Sequence, residues 1–334
     1  MLTFEPFGGS MDEWGQTLVT FPDHQIFQTP AWLAFIAETQ HATPVLAVLR
    51  EARQPVGYFA GLTVRRCGVN ILGSPFPGWT THHMGMRLRE GISRREATRA
   101  LAEYAFDHLN CVHLEFADPR FAAHDVEELG FVTQMTEARV IDLSAPEEEL
   151  FARTKGSCRT SIRKARRVGV VIEEAQDERF ADDYYAQLRD VFAKQGLVPT
   201  YDKARVEALI RHVLPTGLLL LVRARDPEGK CIATGIFPAM NRHAFFWGGA
   251  SWRQHQILQP NEAIMWYAMC YWKRRGMQLF DLGGATYVRK YGGHQVTTLR
   301  LAKARFPVVW KARQAAKQLF DTRQRILGRL RRAT

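Results

Sequence analysis

Twice along the chain, apolar residues run at helical spacing and then at extended spacing, at matching places 166 residues apart. The first copy opens at Glu96-Ala97 and the second at Glu262-Ala263. Ala102 answers Ala268, Phe106 answers Trp272, and Leu114-Glu115-Phe116 answers Phe280-Asp281-Leu282. Each copy predicts a helix, a polar break at Asn110 or Gly276, and a strand that ends on a carboxylate. Only the second copy runs on into glycine-rich sequence: Asp281-Leu282-Gly283-Gly284-Ala285, then Arg289-Lys290-Tyr291-Gly292-Gly293. The pattern predicts two related α/β units, one working and one supporting.

Further elements follow from the same patterning. Thr29-Pro30 starts a helix carrying Trp32 to Ile36. Residues 44–50 and 56–64 read as antiparallel strands, and Gly73 to Thr81 is too rich in Pro and Gly to be regular. A short helix is expected over Val126 to Leu129 and a closing strand over Ala138 to Leu143, with Ser144 placed to cap the next helix. A basic helix spans Arg159 to Arg167 and stops at Gly169; strand Val170 to Glu173 and a helix through Tyr184 to Phe192 come next. Leu218 to Ala224 and Cys231 to Phe237 form a hairpin across Asp226-Pro227-Glu228-Gly229, and Ala244 to Gly249 is another strand.

Length and charge sharpen this picture. The 334 residues suit two domains, placed at 1–143 and 144–306, with 307–334 as a tail. Of the net charge of +11, the tail supplies +7, from eight Lys/Arg against Asp321. Such a bias points to a polyanionic partner: lipid head groups, RNA or cofactor phosphates. Val309, Ala312, Ala316, Leu319, Arg323, Ile326 and Leu330 form one stripe, so the tail reads as a basic amphipathic helix that lies on an anionic membrane or docks on its own domain. The five cysteines have no metal-ligand spacing and fit free thiols in a reducing compartment. With no secretion signal at the N-terminus and no apolar run long enough to span a bilayer, a cytoplasmic protein is expected, peripheral at the inner face of the membrane if the tail binds it.

The order of a basic helix SIRKARRVGVVIEE, a hairpin, the strand AFFWGGAS, a loop to Pro260, a long helix, FDLGG and RKYGG resembles the Fem-like branch of the GNAT acyltransferases. That branch includes the peptidoglycan bridge transferases and the BioF2-like acetyltransferase domains. The resemblance covers nearly the whole chain and implies a mixed α/β fold of two tandem GNAT-like domains. It also implies that a lysine shortly after the Gly-Gly strand end stabilises the acyl-transfer centre, which is Lys290 here. One departure matters. Acetyl-CoA-binding GNATs hold the pyrophosphate with a glycine-rich loop before the long helix, whereas residues 253–261 here contain no glycine. The donor is therefore an acyl-CoA or an aminoacyl-tRNA; the absence of a long heptad arm favours the acyl-CoA.

Lys290 and Asp281 are the candidate catalytic residues, Lys290 as a fixed charge for the oxyanion and Asp281 as base or amine-orienting group. A solvated turn is the plain alternative for Lys290, and a structural role for Asp281, since Glu115 stands at the same place in the other copy. Arg159, Arg163 and Arg166 share one helix face and, with Gly283, Gly284 and Asn261, are candidates for donor and phosphate binding. Segment 153–167 has seven cations and no acid, although a solvated helix face explains such a run equally well. Trp79, in a loop that cannot easily bury it, and Tyr291 are candidates for acceptor binding. No metal is expected, because His82-His83 lacks a third ligand. The expected activity is N-acyl transfer to an amino group of an envelope-related acceptor, an amino sugar or a lipid-linked amine. The second unit would host the donor. A tRNA-dependent aminoacyl transferase and a non-catalytic glycan- or lipid-binding protein are the alternatives.

Overall fold

In a computed structural model describing residues 1–330, the chain divides into two compact units. Unit 1 is Met1–Glu137 with Thr297–Ala316; unit 2 is Ala138–Val296 with the chain from Lys317 onward. In chain order the elements are β1 (Leu2–Pro6), α1 (Met11–Leu18), α2 (Pro30–Gln40), β2 (Thr43–Glu51), β3 (Gln54–Arg66), β4 (Val69–Ser74), β5 (Met86–Leu88), α3 (Arg94–Glu103), β6 (Cys111–Asp118) and β7 (Val132–Asp142). There follow α4 (Glu147–Arg153), α5 (Gly156–Arg167), β8 (Val171–Glu174), α6 (Phe180–Lys194), α7 (Lys203–Val213), β9 (Leu219–Arg225), β10 (Cys231–Met240), β11 (His243–Phe245) and β12 (Gly248–Ser251). The last elements are α8 (Pro260–Arg274), β13 (Leu279–Asp281), β14 (His294–Ala304) and α9 (Pro307–Leu330).

In unit 1, β1 to β4 pair antiparallel in succession, β4 pairs β6 in parallel, and β6 pairs β14 antiparallel. The α3 crossover is what lets β4 and β6 run parallel. Leu49, Phe59, Leu72, Leu101, Leu114 and Leu301 meet in its core. Thr29 caps α2 through its hydroxyl, which accepts from Trp32 N–H at 3.3 Å, and Pro30 fills the first turn as the sequence predicts.

In unit 2, β8, β9, β10 and β11 pair antiparallel in turn, β11 pairs β13 in parallel, and β13 pairs the end of β7 antiparallel. Helix α8 makes this second crossover. Its Ile264, Ala268 and Trp272, four residues apart, and Met265 and Met269 on the neighbouring row are buried with Val222, Ile232 and Phe237. Helix α5 packs on α8 through Cys158, Ile162 and Ala165 and stops where Gly169 takes a φ of 83°. The strand after each repeated helix thus has a parallel neighbour on one side and an antiparallel one on the other.

Several expectations give way. Val126 to Leu129 is a turn after the 3₁₀ segment Ala123–Asp125. Ser144 caps nothing: its N–H donates to Asp142 Oδ1 at 2.8 Å, and Pro146 takes the N-cap of α4. The strand expected over Ala244 to Gly249 breaks into β11 and β12. Helix α7 and strands β1, β4 and β14 are additions. Trp79 is only 6% exposed, because Phe76 meets its ring edge-on at 5.2 Å and the loop folds back on itself. It therefore offers no open face to an acceptor.

Helix α9 begins against unit 1, where Arg313 pairs with the buried Glu115 and Trp310 lies 6.4 Å from the His113 ring. Of the apolar stripe, Val309 is half-buried, while Ala312, Ala316 and Leu319 are exposed. The side chains of Arg323, Ile326 and Leu330, and residues 331–334, lie outside the described residues. Among the described residues no helix is long and apolar enough to cross a membrane.

Candidate functional site

The site is built where the chain changes sheet partners. Phe246 N–H still donates to the Asp281 carbonyl at 2.8 Å, but Trp247 N–H turns to the Ile236 carbonyl at 3.0 Å. From there β12 pairs with β10 alone, and β13 has already ended at Asp281. Gly283 makes the turn with a φ of 70°, a conformation that favours glycine. Its N–H donates to Asp281 Oδ1 at 2.7 Å, and its carbonyl accepts from Arg139 N–H at 3.1 Å. Gly283 is thus committed to the fold on both sides. Asp281 is buried and braces the turn, which is the structural role. Gly284 is exposed, and its N–H has no partner among the described residues.

The 3₁₀ segment Thr286–Tyr291 then packs Val288 and Tyr291 inward and aims Lys290 at the first turn of α8. There Nζ pairs with Glu262 Oε1 and stands 5.3 Å from the centre of the Tyr291 ring. The Lys290 carbonyl accepts from Lys155 N–H at 2.9 Å, which ties the start of α5 to the same point. Gly293 follows with a φ of 79°; a β-carbon there would come within 2.4 Å of the Val140 carbonyl oxygen, so this stretch must be glycine. Lys290 keeps 29% of its side chain exposed. Tyr291 is 2% exposed, which removes it from acceptor binding and makes it the floor beneath the lysine. Burial, with the Glu262 carboxylate second, pushes the Tyr291 hydroxyl well above its usual range. Burial likewise pushes the neighbouring Cys158 thiol up to about 11, although Lys290 pulls the other way, so no thiolate nucleophile is on offer.

The cationic helix is only partly as expected. Arg159 donates to the Ala152 carbonyl at 2.8 Å and to that of Thr154, while the Arg163 guanidinium lies 5.2 Å over the Phe151 ring. Both are held by the end of α4. The Arg166 side chain is exposed without a partner among the described residues, as are those of Lys155 and Arg167. Asn261 donates from Nδ2 to Ser251 Oγ at 3.0 Å and joins α8 to β12. Residues 253–258, where a glycine-rich loop would lie, form a 3₁₀ turn, and Gln259 precedes α8 without a side-chain cap. No group of three or more His, Cys, Asp or Glu able to hold a metal occurs among the described residues.

Glu262 is the residue that sequence reasoning missed. It marks the opening of the second repeat, but a separation of 28 residues from Lys290 hides their pairing.

Comparison with known proteins places this geometry. Residues 152–291 match the acetyltransferase (GNAT) domain model. No curated protein sequence matches. Among solved structures, FemX superposes with a TM-score of 0.70 at 12% identity, over 88% of this chain and 96% of FemX. A tandem GNAT protein from the clavulanic acid biosynthesis pathway gives 0.57 at 14% identity, over 92% and 99% of the two chains. The C-terminal domain of a putative lysylphosphatidylglycerol synthetase from Agrobacterium fabrum gives 0.55 at 13% identity, over 94% and 96%. Residues 152–291, within the second unit, thus match a GNAT domain, and the solved structures share the fold.

Proposed function

We propose that the protein transfers an aminoacyl group from an aminoacyl-tRNA to an amine on an envelope-related acceptor. The observation that carries this is the ion pair at the start of α8. A helix N-terminus preceded by a glycine loop is a ready pyrophosphate site. Here the first turn already holds the Glu262 carboxylate, and the residues before it offer a 3₁₀ turn. The Glu262–Lys290 pair occupies that first turn, and no glycine loop precedes it to wrap a pyrophosphate. An RNA ester spreads its phosphates over a wider surface, which suits the exposed Lys155, Arg166 and Arg167. The donor favoured by the structure is therefore the tRNA ester and not the acyl-CoA that the sequence alone favours. The fold is shared with a domain of a putative lysylphosphatidylglycerol synthetase, whose name pairs an amino acid with a lipid, and this supports an aminoacyl cargo and a lipid-linked acceptor. The matching sheet settings of the two crossovers support two related units, with unit 2 as the donor side.

In this reaction the acceptor nitrogen attacks the ester carbonyl carbon. A C–N bond forms and the C–O bond to the ribose breaks. The proton lost by the amine ends on the ribose oxygen. The Lys290 ammonium would take the charge that develops on the carbonyl oxygen. A second reading, with an acyl-CoA donor, is favoured by β12, which pairs with β10 alone among the described strands and so leaves one edge for an amide-bearing arm. Incubating the protein with radiolabelled aminoacyl-tRNA or acyl-CoA and an extract of lipids and amino-sugar precursors separates the two. Label passing only from acyl-CoA would overturn the proposal.

Two further outcomes are expected. Replacing Lys155, Arg166 and Arg167 together by alanine should lower the slope of log affinity for tRNA against log salt by roughly 2–3, because each phosphate contact contributes about 0.7–0.9. Filter binding across a salt series measures it, and an unchanged slope would move RNA recognition elsewhere. For the tail, cutting before Pro307 would strip Arg313 from Glu115, so the informative truncation ends at Ala316. Removing 317–334 should reduce sedimentation with anionic liposomes, since each basic residue near such a surface contributes about 1 kcal/mol. Equal partitioning of both proteins would leave membrane contact without support.

A further inference from the structure

We propose that Glu262 is a positioning residue that fixes the Lys290 ammonium, an assignment that deepens the transfer function proposed above. A lysine side chain has four rotatable carbons, and a lone ammonium on an exposed turn samples many positions. Three contacts remove that freedom here. Glu262 Oε1 takes one N–H of Nζ, the face of the Tyr291 ring lies beneath it, and the Lys290 backbone is anchored by Lys155. The remaining two N–H donors have no partner among the described residues. Glu262 is itself well placed to stay where it is. It sits in the first turn of a fifteen-residue helix whose N-cap offers no side-chain bond, so its carboxylate meets the positive end of the helix. Its side chain is only 12% exposed. The pair therefore converts the position of a buried helix into the position of a cation, which the turn Thr286–Tyr291 could not hold alone. Unit 1 has no such device. Glu96 stands at the start of α3 as Glu262 does at α8, but its N–H serves the Ser93 cap, and the position matching Lys290 is His124.

The test needs no substrate. In protein labelled with ¹⁵N-lysine, the Lys290 ammonium signal, identified by its loss in Lys290→Arg, should exchange with water about tenfold more slowly than that of Lys155. Glu262→Gln should bring the two rates within about twofold of each other. Equal exchange for Lys290 in the wild-type protein and in Glu262→Gln would overturn the assignment. Transfer then checks the consequence: Glu262→Gln should lower kcat about tenfold or more with KM for the donor unchanged, and Glu262→Asp should recover part of it. Full kcat in a Glu262→Gln protein whose ammonium has been released would also overturn it. Absence of transfer by the wild-type protein from either donor would sink the proposed function and leave the exchange result standing.

Discussion

Turnover of the Lys290→Ala protein should fall by about 10²–10³, the loss expected when one donor to a developing oxyanion is removed, or about 2.7–4 kcal/mol in the transition state. KM for the donor should change little, because the charge it answers does not exist before the carbonyl is attacked. Losing the lysine also leaves Glu262 unpaired in a half-buried setting, so a drop in activity alone would not separate chemistry from folding. Lys290→Met combined with Glu262→Gln removes both charges. That double variant should regain the thermal stability of the wild-type protein and stay as inactive as Lys290→Ala. Steady-state kinetics and thermal melts of the three proteins check this, and an undiminished kcat in Lys290→Ala would take the lysine out of the mechanism.

Glu115→Ala should be the most damaging single change in unit 1. This carboxylate is 1% exposed and accepts from Arg300 at 3.3 Å and from Arg313, with His113 Nε2 3.4 Å away. Taking one partner out of a buried ionic cluster costs about 3–5 kcal/mol, since the guanidinium groups lose their counter-charge and Arg300 keeps only the Pro75 carbonyl. Hydrogen exchange at the amides of α3 and β6 localises the effect. Those amides should exchange about 10²- to 10³-fold faster or more, while the amides of α8 keep their wild-type rates. Arg313 would lose its anchor as well, so cleavage by a protease within 306–316 should accelerate. Unaltered exchange would show that the cluster contributes nothing to unit 1.

The elements that sequence patterning finds are those whose apolar residues repeat over several turns. Helices α5 and α8 and the hairpin of β9 and β10 are read almost to their ends because core, cap and turn residues agree. Helix α7 goes unread although Val206, Leu209, Ile210 and Val213 give it a buried face at helical spacing; the signal was there. Strand β14 is different: its first five residues are exposed or half-buried and, Val296 apart, polar, so tertiary strand pairing and not its own pattern makes it a strand. The site divides in the same way. Lys290, Asp281 and the two glycines are visible because they follow one another in the chain. Asp281, Tyr291 and Trp79 turn out to be scaffold, because residue type cannot reveal that a turn, a ring or a folded loop will bury them. Glu262 becomes visible only when α8 and the turn after β13 come together.

The return of the chain to unit 1 at residue 297 has a consequence for synthesis. The edge of β6 that receives Leu299–Ala304 is translated about 180 residues before that strand exists. At about 5–20 residues per second, a nascent chain exposes this edge for roughly 9–36 s, while all of residues 138–296 are made. During that interval Glu115 also lacks Arg300 and Arg313. Ribosome-bound chains halted near residue 296 should therefore recruit a chaperone at β6, and chains extended past residue 316 and clear of the ribosome should lose that dependence.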